Sequence, residues 1–550
     1  MSQVLADIWL CKDPSSPFYK KVAYYSMEVA IDQSLKTYSG GLGYLSGSHL
    51  RSAFSLKQNM LGISLLWSYG YYTQTRSSNN EMRVEYINHL YPFLKPLDEV
   101  FTVIVSGHKV KVKAFLLEPE TFESAPVFFL STDIEENDPI SRTITRRLYD
   151  ANVSTKIAQS IILGVGGAKL LEILEIKPDV YHMNEGHALP LAFYLYSKNH
   201  RVEEVVNNLV FTTHTPELAG NEEHELKLLE AMNFFCGLPM EEVKHISHIN
   251  GTSMNYTLTA LRLSRKANGV SKMHGEVANK MWSTHDSICD IISITNAQNK
   301  EYWADKTLEK AFFENNITGL VKRKKELKEE LFKVVADQTG KLFDPKILTI
   351  VWARRFAGYK RPALLLRDLG RFEKLVNNKE FPVQVIWAGK PYPEDYDSIS
   401  TFNYIQSITS GLDNCAVLTG YELALSGLLK KGADIWLNNP RITREASGTS
   451  GMSAAMNGTI NLSAMDGWVP EFAKNNINGF YLSPLSIDLK VEEQDSIDYS
   501  NLMKMMEENV VPTFYKNPEK WMNMMKQSMK DVYPKFDSNR MAREYYEKLY

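Results

Sequence analysis

Short apolar runs that end in glycine, lysine or a turn recur along the second half of the chain. They are KILTIVWARRF, FPVQVIWAGKP, NCAVLTGY and ADIWLNNP. Helix-length segments such as residues 361–378 separate them, which is typical of buried parallel strands in a βαβ array. The first half alternates more loosely through VAYYSMEVA, PDVYHMNEGHALPLAFYLYS and NNLVFTTHTP. The pattern predicts an α/β protein with two domains, residues 1–340 and 341–550, and leaves room for the last helix to cross back to the first.

The charged segment at residues 320–340, LVKRKKELKEELFKVVADQTG, shows the periodicity of a helix. Its helically spaced positions are Leu320, Lys324, Leu327, Leu331 and Val334 or Val335. A glycine closes the segment, so we predict a surface helix. The interleaved glutamates favour a solvated helix face over a basic binding patch.

Composition narrows the class of protein. Of 550 residues, 62 are Lys or Arg and 65 are Asp or Glu, for a formal net charge of −3, which excludes a strong general field for nucleic acid or anionic lipid. The hydrophobic share of 44% is that of a soluble globular protein. The cysteines, Cys11, Cys236, Cys289 and Cys415, show no metal-ligand spacing. With no apolar run long enough for a membrane span, we expect a cytoplasmic protein with reduced thiols.

Ligands of open parallel sheets bind beyond the carboxyl ends of the strands, so two such domains predict a site in the cleft between them. The first candidate there is TYSGGLGYLSGSHL, with Gly40, Gly41 and Gly43 ahead of a helix predicted to start near Leu45. Glycine permits close approach of an anion to backbone amides, and a helix N-terminus supplies oriented donors. An ordinary tight turn is the alternative.

The polar segments HMNEGH and FTTHTPELAGNEEHE follow two predicted strands. His182 and His187 with Glu185, or His214 with His224, have the donor types of a metal site. Neither histidine pair is spaced one helical turn apart. We therefore expect no metal, and favour contacts to sugar hydroxyls, with His187 among them, or satisfied hydrogen bonds in the core.

WARRFAGYKRP places four cations, Arg354, Arg355, Lys360 and Arg361, after a predicted buried strand. Arginine offers bidentate geometry to phosphate and lysine offers a compact charge, so this cluster suits a phosphate or diphosphate. Solvated cations on a loop are the alternative.

REASGTSGMSAAMNG predicts a second anion site at the start of a short helix. Ser447, Gly448, Thr449 and Ser450 precede the Ala/Met-rich helix and supply capping hydroxyls and free amides. Glu445 beside them is placed to accept hydrogen bonds from sugar hydroxyls. As a nucleophile it would have no obvious carboxylate partner.

The motifs together resemble the α-glucan phosphorylases, which act on glycogen, starch or maltodextrin, and specifically their short bacterial and archaeal branch. The resemblance rests on YSGGLGYLSGSHLRSA, PDVYHMNEGH, FTTHTP, GVSKMHGEVANKMW, ITNAQ, RRFAGYKRP, WAGKP and EASGTSGM, all in family order. It implies two Rossmann-like domains facing a deep cleft, the GT-B glycosyltransferase architecture, and retaining glucosyl transfer between α-1,4-glucans and phosphate.

The resemblance also implies roles for single residues. On the sugar side, Asn296 and His214 resemble the family's contacts to the sugar 6-hydroxyl. Glu445 and Gly448 resemble the contacts to the 3- and 4-hydroxyls. Tyr359 resembles the contact to the 2-hydroxyl. On the phosphate side, Arg355 and Lys360 resemble the cations that hold the substrate phosphate, with the loop of Gly40, Gly41, Leu42 and Gly43 covering it. Arg354 and Thr449 resemble the positions that hold the phosphate of pyridoxal phosphate, and Tyr421 a residue near its ring.

The chain departs from the family at the cofactor lysine. The family reads EASGTSGMK or EASGTSNMK, whereas this chain has Ser453 at that position, and no lysine lies between Lys431 and Lys474. A hydroxyl cannot form the Schiff base, so covalent pyridoxal phosphate is predicted to be absent. Noncovalent cofactor, or another phosphate-bearing ligand such as a nucleotide sugar, stays open.

Three functions follow. The first is a phosphorylase-type glucosyltransferase on α-1,4-glucans with phosphate or glucose 1-phosphate. The second is a nucleotide-sugar-dependent glucan synthase on the same fold, which gains support only from the missing lysine. The third is a catalytically silent glucan-binding homologue, which the retained Glu445, His214 and Lys360 argue against. We expect no nucleic-acid or membrane partner, and a homodimer is compatible with the sequence.

Overall fold

The computed structural model describes residues 8–550 and divides into two compact units. Among the described residues, the first unit contains residues 8–71, then Tyr86–Asn296 and Ser538–Tyr550. The second unit contains Tyr72–Glu85 and Ala297–Asp537. Each unit has its own β-sheet and its own buried core, so each is described separately.

The strands of the first unit form one large sheet and a small hairpin. They are β1 Val22–Ser26, β2 Met60–Leu65, β5 Lys95–Val105, β6 His108–Leu117, β7 Val127–Ser131, β8 Val180–Asn184, β9 Leu209–Thr212, β10 Glu223–Glu225, β11 Ser253–Asn255, β12 Lys266–Gly269 and β13 Ile291–Ser293. The strand order of the sheet is β13-β12-β9-β8-β1-β2-β7-β6-β5. All neighbours are parallel except β5 with β6 and β6 with β7.

Helices cover the first unit's sheet, which explains why its central strands are buried along their length. They are α1 Gly41–Ser55, α2 Pro119–Phe122, α3 Pro139–Thr143, α4 Val153–Ile161, α5 Gly167–Ile173, α6 Pro190–Asn199, α7 Val202–Asn208, α8 Leu226–Ala231, α9 Met240–Ser247, α10 Tyr256–Arg262, α11 Lys272–Trp282 and, from the end of the chain, α23 Ser538–Lys548. A π-helical turn at Ile162–Gly166 joins α4 to α5.

The second unit has a sheet whose neighbouring strands are all parallel. Its strands are β14 Leu348–Ala353, β15 Val383–Ala388, β16 Cys415–Leu418, β17 Ile435–Asn438, β18 Ile460–Ser463 and β19 Gly479–Tyr481, with a separate hairpin of β3 Thr73–Arg76 and β4 Met82–Glu85. The order is β16-β15-β14-β17-β18-β19. Counted along the chain from β14, this is 3-2-1-4-5-6, a doubly wound parallel sheet. The four apolar runs predicted to be parallel strands are therefore confirmed.

The second unit's helices lie on both faces of this sheet. They are α12 Lys300–Trp303, α13 Lys306–Phe313, α14 Ile317–Thr339, α15 Leu369–Val376, α16 Tyr396–Thr409, α17 Leu423–Gly432, α18 Ser450–Met456, α19 Val469–Phe472, α20 Val491–Met505, α21 Val511–Lys516 and α22 Pro518–Phe536. The core between helices and sheet is rich in tryptophan, and the buried indole of Trp352 donates to Asn439 Oδ1 over 2.9 Å.

Helix α14 is the predicted charged helix, and it begins three residues earlier than expected. Asn316 caps its start by accepting from Gly319 N, and Gly340 ends it at φ 72°, a left-handed conformation that glycine adopts without strain. Its apolar stripe is buried, and so is Lys324, whose amine donates to the carbonyls of Lys431 and Asn457.

The observed division differs from the predicted boundary between residues 340 and 341. Helix α14 belongs to the second unit because it packs against α17 and because Lys328 pairs with Asp434 over 2.6 Å. The division falls at Asn296 instead. At the other end of the chain, α23 lies in the first unit, where Ala542 O accepts from Gln58 Nε2. An amphipathic helix shows where its apolar stripe runs but not which sheet covers it.

The cysteines Cys11, Cys236, Cys289 and Cys415 form no disulfide. Within residues 8–550, no helix is both long enough and apolar enough to cross a membrane.

Candidate functional site

In the parallel part of each large sheet the strand order reverses at one point, and some of the predicted site residues follow the strands beside it. In the second unit the reversal lies between β14 and β17, and the segment starting at Arg354 follows β14 directly. In the first unit it lies between β1 and β8, and His187 lies in the turn that follows β8. Side chains at such points converge on the carboxyl edge of the sheet, where ligands of open α/β sheets bind.

The glycine motif lies at the start of α1, which begins at Gly41, so the prediction of a start near Leu45 was wrong. Gly40 is the N-cap, and its amide donates to Glu28 Oε2 over 3.1 Å. The amides of Gly41 and Leu42 belong to the first helical turn and have no acceptor within the helix. A Cβ at Gly43 would lie 2.6 Å from Tyr38 Cβ, so the tight approach of the chain requires glycine there.

His214 is held in one orientation at the end of β9. Its backbone N–H donates to Glu185 Oε2 over 2.7 Å, and its Nε2 donates to Asn184 Oδ1 over 2.7 Å. Burial, together with the neighbouring His274, lowers the pKa of His214 to about 3. At neutral pH the ring is uncharged, with Nδ1 as an acceptor. Burial also raises the pKa of Glu185.

Two other predicted sugar-side residues of the first unit carry buried polar atoms that no described group satisfies. Asn296 is 4% exposed and its Oδ1 has no hydrogen-bond partner among residues 8–550. His187 Nδ1 is likewise unsatisfied within that range. Because an unmade buried hydrogen bond costs about 1–3 kcal/mol, these two atoms are candidates for contacts to a polar ligand.

The alternative of a metal site is not supported by the contacts of the histidines. His182 is fully buried, and its two ring nitrogens contact Tyr550 Oη at 2.8 Å and Thr212 Oγ1 at 2.7 Å. Its role is therefore in the core. Over the described part of the chain, no three His, Cys, Asp or Glu side chains are grouped so as to hold a metal ion.

The cations after β14 surround one carboxylate. Lys360 Nζ donates to both carboxylate oxygens of Glu445, at 3.0 and 3.2 Å, and Arg354 Nη1 lies 3.5 Å from Glu445 Oε2. Burial of Glu445 raises its pKa, but Lys360 and Arg354 outweigh burial and hold it below the ordinary value. Arg354 is 5% exposed and its Nε has no partner among the described residues. The cluster therefore has two cations, Lys360 and Arg354, beside the single carboxylate of Glu445, and the buried Nε–H of Arg354 has no acceptor among the described residues.

The other members of the same motif are placed differently. Arg355 is exposed but close enough to contribute to the lowered pKa of Glu445. The Tyr359 ring lies beside Lys360, with its centroid 5.2 Å from Nζ. Arg361 does not join the cluster, because its guanidinium pairs with Asp495 and Asp498. The prediction of four cations at one anion site was therefore wrong for Arg361.

Tyr421 lies in the buried region next to Arg354. Its hydroxyl donates to Ala353 O over 3.3 Å and accepts from Ser426 Oγ. Burial raises its pKa, and the neighbouring Ser426 and Arg354 oppose that rise. Two residues that the resemblance implies for the cofactor, Arg354 and Tyr421, are thus close together.

The loop before α18 is fixed by a second carboxylate, Asp466. Asp466 Oδ2 accepts from Glu445 N and Oδ1 accepts from Gly467 N, both at 2.9 Å. Burial, together with the charge of Glu445, raises the pKa of Asp466 to about 7. At Gly448, φ is 79° and a Cβ would lie 3.1 Å from Glu445 Cγ, so glycine is required beside the glutamate.

The predicted hydroxyl cap of α18 is absent. Thr449 occupies the N-cap position, but its side chain makes no capping hydrogen bond, because its backbone is already helical at φ −80°, ψ −15°. Ser450 Oγ instead accepts from the indole of Trp436 over 3.2 Å. The buried Ser447 Oγ has no partner among residues 8–550.

Position 453 does not fit covalent pyridoxal phosphate. Ser453 lies within α18 and is fully buried, and its hydroxyl donates to Ser450 O over 3.2 Å, a carbonyl of its own helix. It offers neither an amine nor a free donor. The other residues that the resemblance implies for that cofactor, Arg354, Thr449 and Tyr421, are present in the chain.

Sequence reasoning missed the residues that orient the site: Asn184 and Asp466 were not singled out, and Glu185 was considered only as a possible metal ligand. Glu185 lay in a quoted motif, and its backbone at φ 73°, ψ 168° is a conformation that side chains other than glycine rarely adopt. Asp466 lies 21 residues from Glu445 along the chain. No local spacing could have paired these two carboxylates.

Comparison with known proteins finds one family model and several relatives. The model described as carbohydrate phosphorylase matches residues 256–478. An uncharacterized protein of Methanocaldococcus jannaschii is 46% identical over 96% of this chain and all of its own length. The maltodextrin phosphorylase of Thermococcus litoralis is 33% identical over 96% of this chain and 70% of its own length. The glycogen phosphorylase of Aquifex aeolicus is 30% identical over 97% and 86%.

Proposed function

Because the chain belongs to the carbohydrate phosphorylase family, we propose that it transfers glucosyl groups between α-1,4-glucans and phosphate. The observation that carries the proposal is the cluster of Arg354 and Lys360 around Glu445 at the strand-order reversal of the second unit. A buried excess of cations suits phosphate, and the carboxylate between them suits a sugar hydroxyl.

On the sugar side, His214 and Asn296 supply the contacts. The neutral His214 ring is fixed by Asn184, and its backbone is fixed by Glu185, so the geometry is set before substrate arrives. The unsatisfied Oδ1 of Asn296 and Nδ1 of His187 would accept from hydroxyl groups. A glucosyl ring, which presents hydroxyls on every side, matches this set of acceptors.

On the phosphate side, Arg355 and Lys360 hold the substrate phosphate. When phosphate arrives, Lys360 exchanges part of its contact with Glu445 for a phosphate oxygen. Glu445 is then able to accept from the sugar. Binding of the two substrates would in this way be coupled through one carboxylate.

We further propose that the fold is of the GT-B type, with two Rossmann-like units. The support is indirect: in each unit the predicted residues follow strands at the carboxyl edge of a parallel sheet, and the family relatives cover nearly the whole chain.

In the proposed reaction, a phosphate oxygen bonds to C1 of the terminal glucosyl unit as the glycosidic bond breaks. The glycosidic oxygen takes a proton from phosphate, giving glucose 1-phosphate and a glucan shorter by one unit. The anomeric configuration is retained. Positive charge at C1 in the transition state is stabilised by the adjacent phosphate and by the carbonyl dipole of His214. Buried Glu445 orients the ring rather than attacking it.

A nucleotide-sugar-dependent transferase is the second candidate, and the observation that favours it is Ser453. A site that has lost the amine for pyridoxal phosphate but keeps Arg354 and a buried, unpartnered Ser447 hydroxyl would accommodate a diphosphate. The same sugar contacts would serve either donor.

The deciding experiment incubates the purified protein with maltodextrin and phosphate, and separately with maltodextrin and ADP-glucose or UDP-glucose. Glucose 1-phosphate and chain lengths are measured by chromatography. Glucose 1-phosphate formed only with phosphate supports the proposal. Elongation with a nucleotide glucose moves the assignment to the synthase.

The matched control is Glu445→Gln, which keeps the size of the side chain and removes its charge. Loss of the product in this variant, with unchanged thermal unfolding, ties the activity to the site. Absence of turnover with every donor, in a parent that still binds maltodextrin, would reject both transferases in favour of a glucan-binding protein.

A further inference from the structure

Helix α17 brings a lysine into the region where the cofactor lysine is missing. Lys430 is 1% exposed, and its Nζ lies 3.5 Å from the centroid of the Trp303 ring. Burial lowers the pKa of this amine well below its ordinary value. A long, buried side chain over an indole face fills a substantial part of the core.

Hydrogen bonds connect Lys430's surroundings to position 453. The side chain of Asn457, just after α18, donates from one nitrogen to Trp303 O over 2.9 Å and to Ser453 O over 2.8 Å. Helices α17 and α18 also pack against each other. Trp303, whose ring contacts the Lys430 amine, is therefore linked through the Asn457 side chain to the helix that contains Ser453.

The same helix connects Lys430 to Tyr421. Ser426 lies one turn before Lys430 on α17, and its Oγ donates to Tyr421 Oη over 3.3 Å. Residues four apart share one face of a helix, so Ser426 and Lys430 face the same region. Lys430 is thus placed among the elements that carry both Tyr421 and Ser453, the positions implied for the cofactor's ring and for its lysine.

We propose that Lys430 and Trp303 fill the volume that a pyridoxal ring would need, so that this chain excludes pyridoxal phosphate rather than binding it loosely. The proposal rests on the family fold that the proposed function assumes, but not on any activity. Protein cores are close-packed, so a side chain inserted from α17 leaves no room for an aromatic ring in the same place. Serine at 453 and lysine at 430 then form a matched pair, because a long side chain at both positions would overpack the core.

The test uses pyridoxal phosphate as the probe and compares the parent with Ser453→Lys, Lys430→Ala and the double variant. Each protein is incubated with the probe, reduced with borohydride and digested, and the modified peptides are identified by mass spectrometry. At position 453, we expect an adduct in the double variant only. The double variant with Lys431→Ala in place of Lys430→Ala is the matched control, and it should remain unmodified at position 453.

An adduct at position 453 in Ser453→Lys alone would overturn the proposal, as would a saturable absorbance change when the parent is titrated with the probe. An adduct on Lys430 itself would overturn it too, because the amine would then be open to the aldehyde. A double variant that folds, judged by circular dichroism and thermal unfolding, but gains no adduct would do the same. If the double variant does not fold, Ser453→Lys and the parent still decide the question.

These outcomes are separate from those of the proposed function. The adduct is measured by mass, so a double variant that gains it while the parent transfers no glucose would support the exclusion and reject the phosphorylase assignment. A parent that phosphorolyses maltodextrin but forms an adduct on Lys430 would support the phosphorylase assignment and reject the exclusion.

Discussion

Replacing Asp466 with asparagine should make the stability of the protein less sensitive to pH. The carboxyl group is 1% exposed and accepts from Glu445 N and Gly467 N, each at 2.9 Å. Burial raises its pKa to about 7, from an ordinary value of 3.8. Asparagine keeps the shape and cannot ionise, so it reproduces the protonated form at every pH.

The sign follows from linkage. Because the folded-state pKa of Asp466 is raised, its contribution to stability is fully present below about pH 4 and is lost as pH rises through about 7. At about 1.4 kcal/mol per pKa unit, the total loss is of the order of 4 kcal/mol, of which about 3 kcal/mol falls between pH 5 and pH 8. The variant avoids this loss but gives up one acceptor for a backbone N–H, at a cost of about 1–3 kcal/mol.

We therefore expect the variant to be less stable than the parent near pH 4 and more stable at pH 8. The difference in free energy of unfolding should rise by about 3 kcal/mol from pH 5 to pH 8. Urea denaturation of both proteins across this range measures it, and other titrating groups cancel in the difference.

The matched control is Asp531→Asn. Asp531 is partly buried, but Lys474, Gln527 and Asn478 outweigh burial and lower its pKa, so it is ionised in both states throughout the range. Its substitution should shift stability by the same amount at every pH. If the Asp466 variant also differs from the parent by a constant amount from pH 5 to pH 8, the carboxyl has an ordinary pKa and the reasoning fails.

Three further predictions concern the site and the core. His214→Ala and Glu445→Gln should each lower glucosyl transfer by about tenfold to a thousandfold, measured as initial rates. Unchanged turnover in both variants would reject the assignment of these residues to the sugar site. Arg355→Ala and Lys360→Ala should each weaken phosphate or diphosphate binding by about 2 kcal/mol in isothermal titration, and parent-like binding in both would make these cations solvated surface charges. Burial lowers the pKa of Lys324 to about 7, so its contribution to stability is lost as pH falls toward and below 7. Lys324→Met should abolish a rise in stability of about 2 kcal/mol between pH 7 and pH 9, measured by urea denaturation, and a persisting rise would assign it to another group.

The candidate site was predictable where its residues lie in one short segment. Arg354 and Lys360 were identified from one motif and Glu445 from another, and the structure brings them within hydrogen-bond distance or close to it. Arg361 shows the limit of this reasoning: it has the same residue type and the same loop, but Asp495 and Asp498 pair with it from a distant helix. A motif specifies which charged side chains are present. Residues far away in the chain decide which of them are already paired and which are able to bind a ligand.

The sequence by itself determined the parallel strands of the second unit, helix α14 and the absence of an amine at position 453. The strands and the helix follow from periodicity among neighbours along the chain. The missing amine follows from the chemistry of a single side chain. Only the tertiary structure decided that Asp466 holds Glu445, that Lys430 lies over Trp303, and that α14 belongs to the second unit. Such pairings join residues far apart in the chain, and burial, which depends on everything packed around a group, then fixes the pKa values of the paired groups.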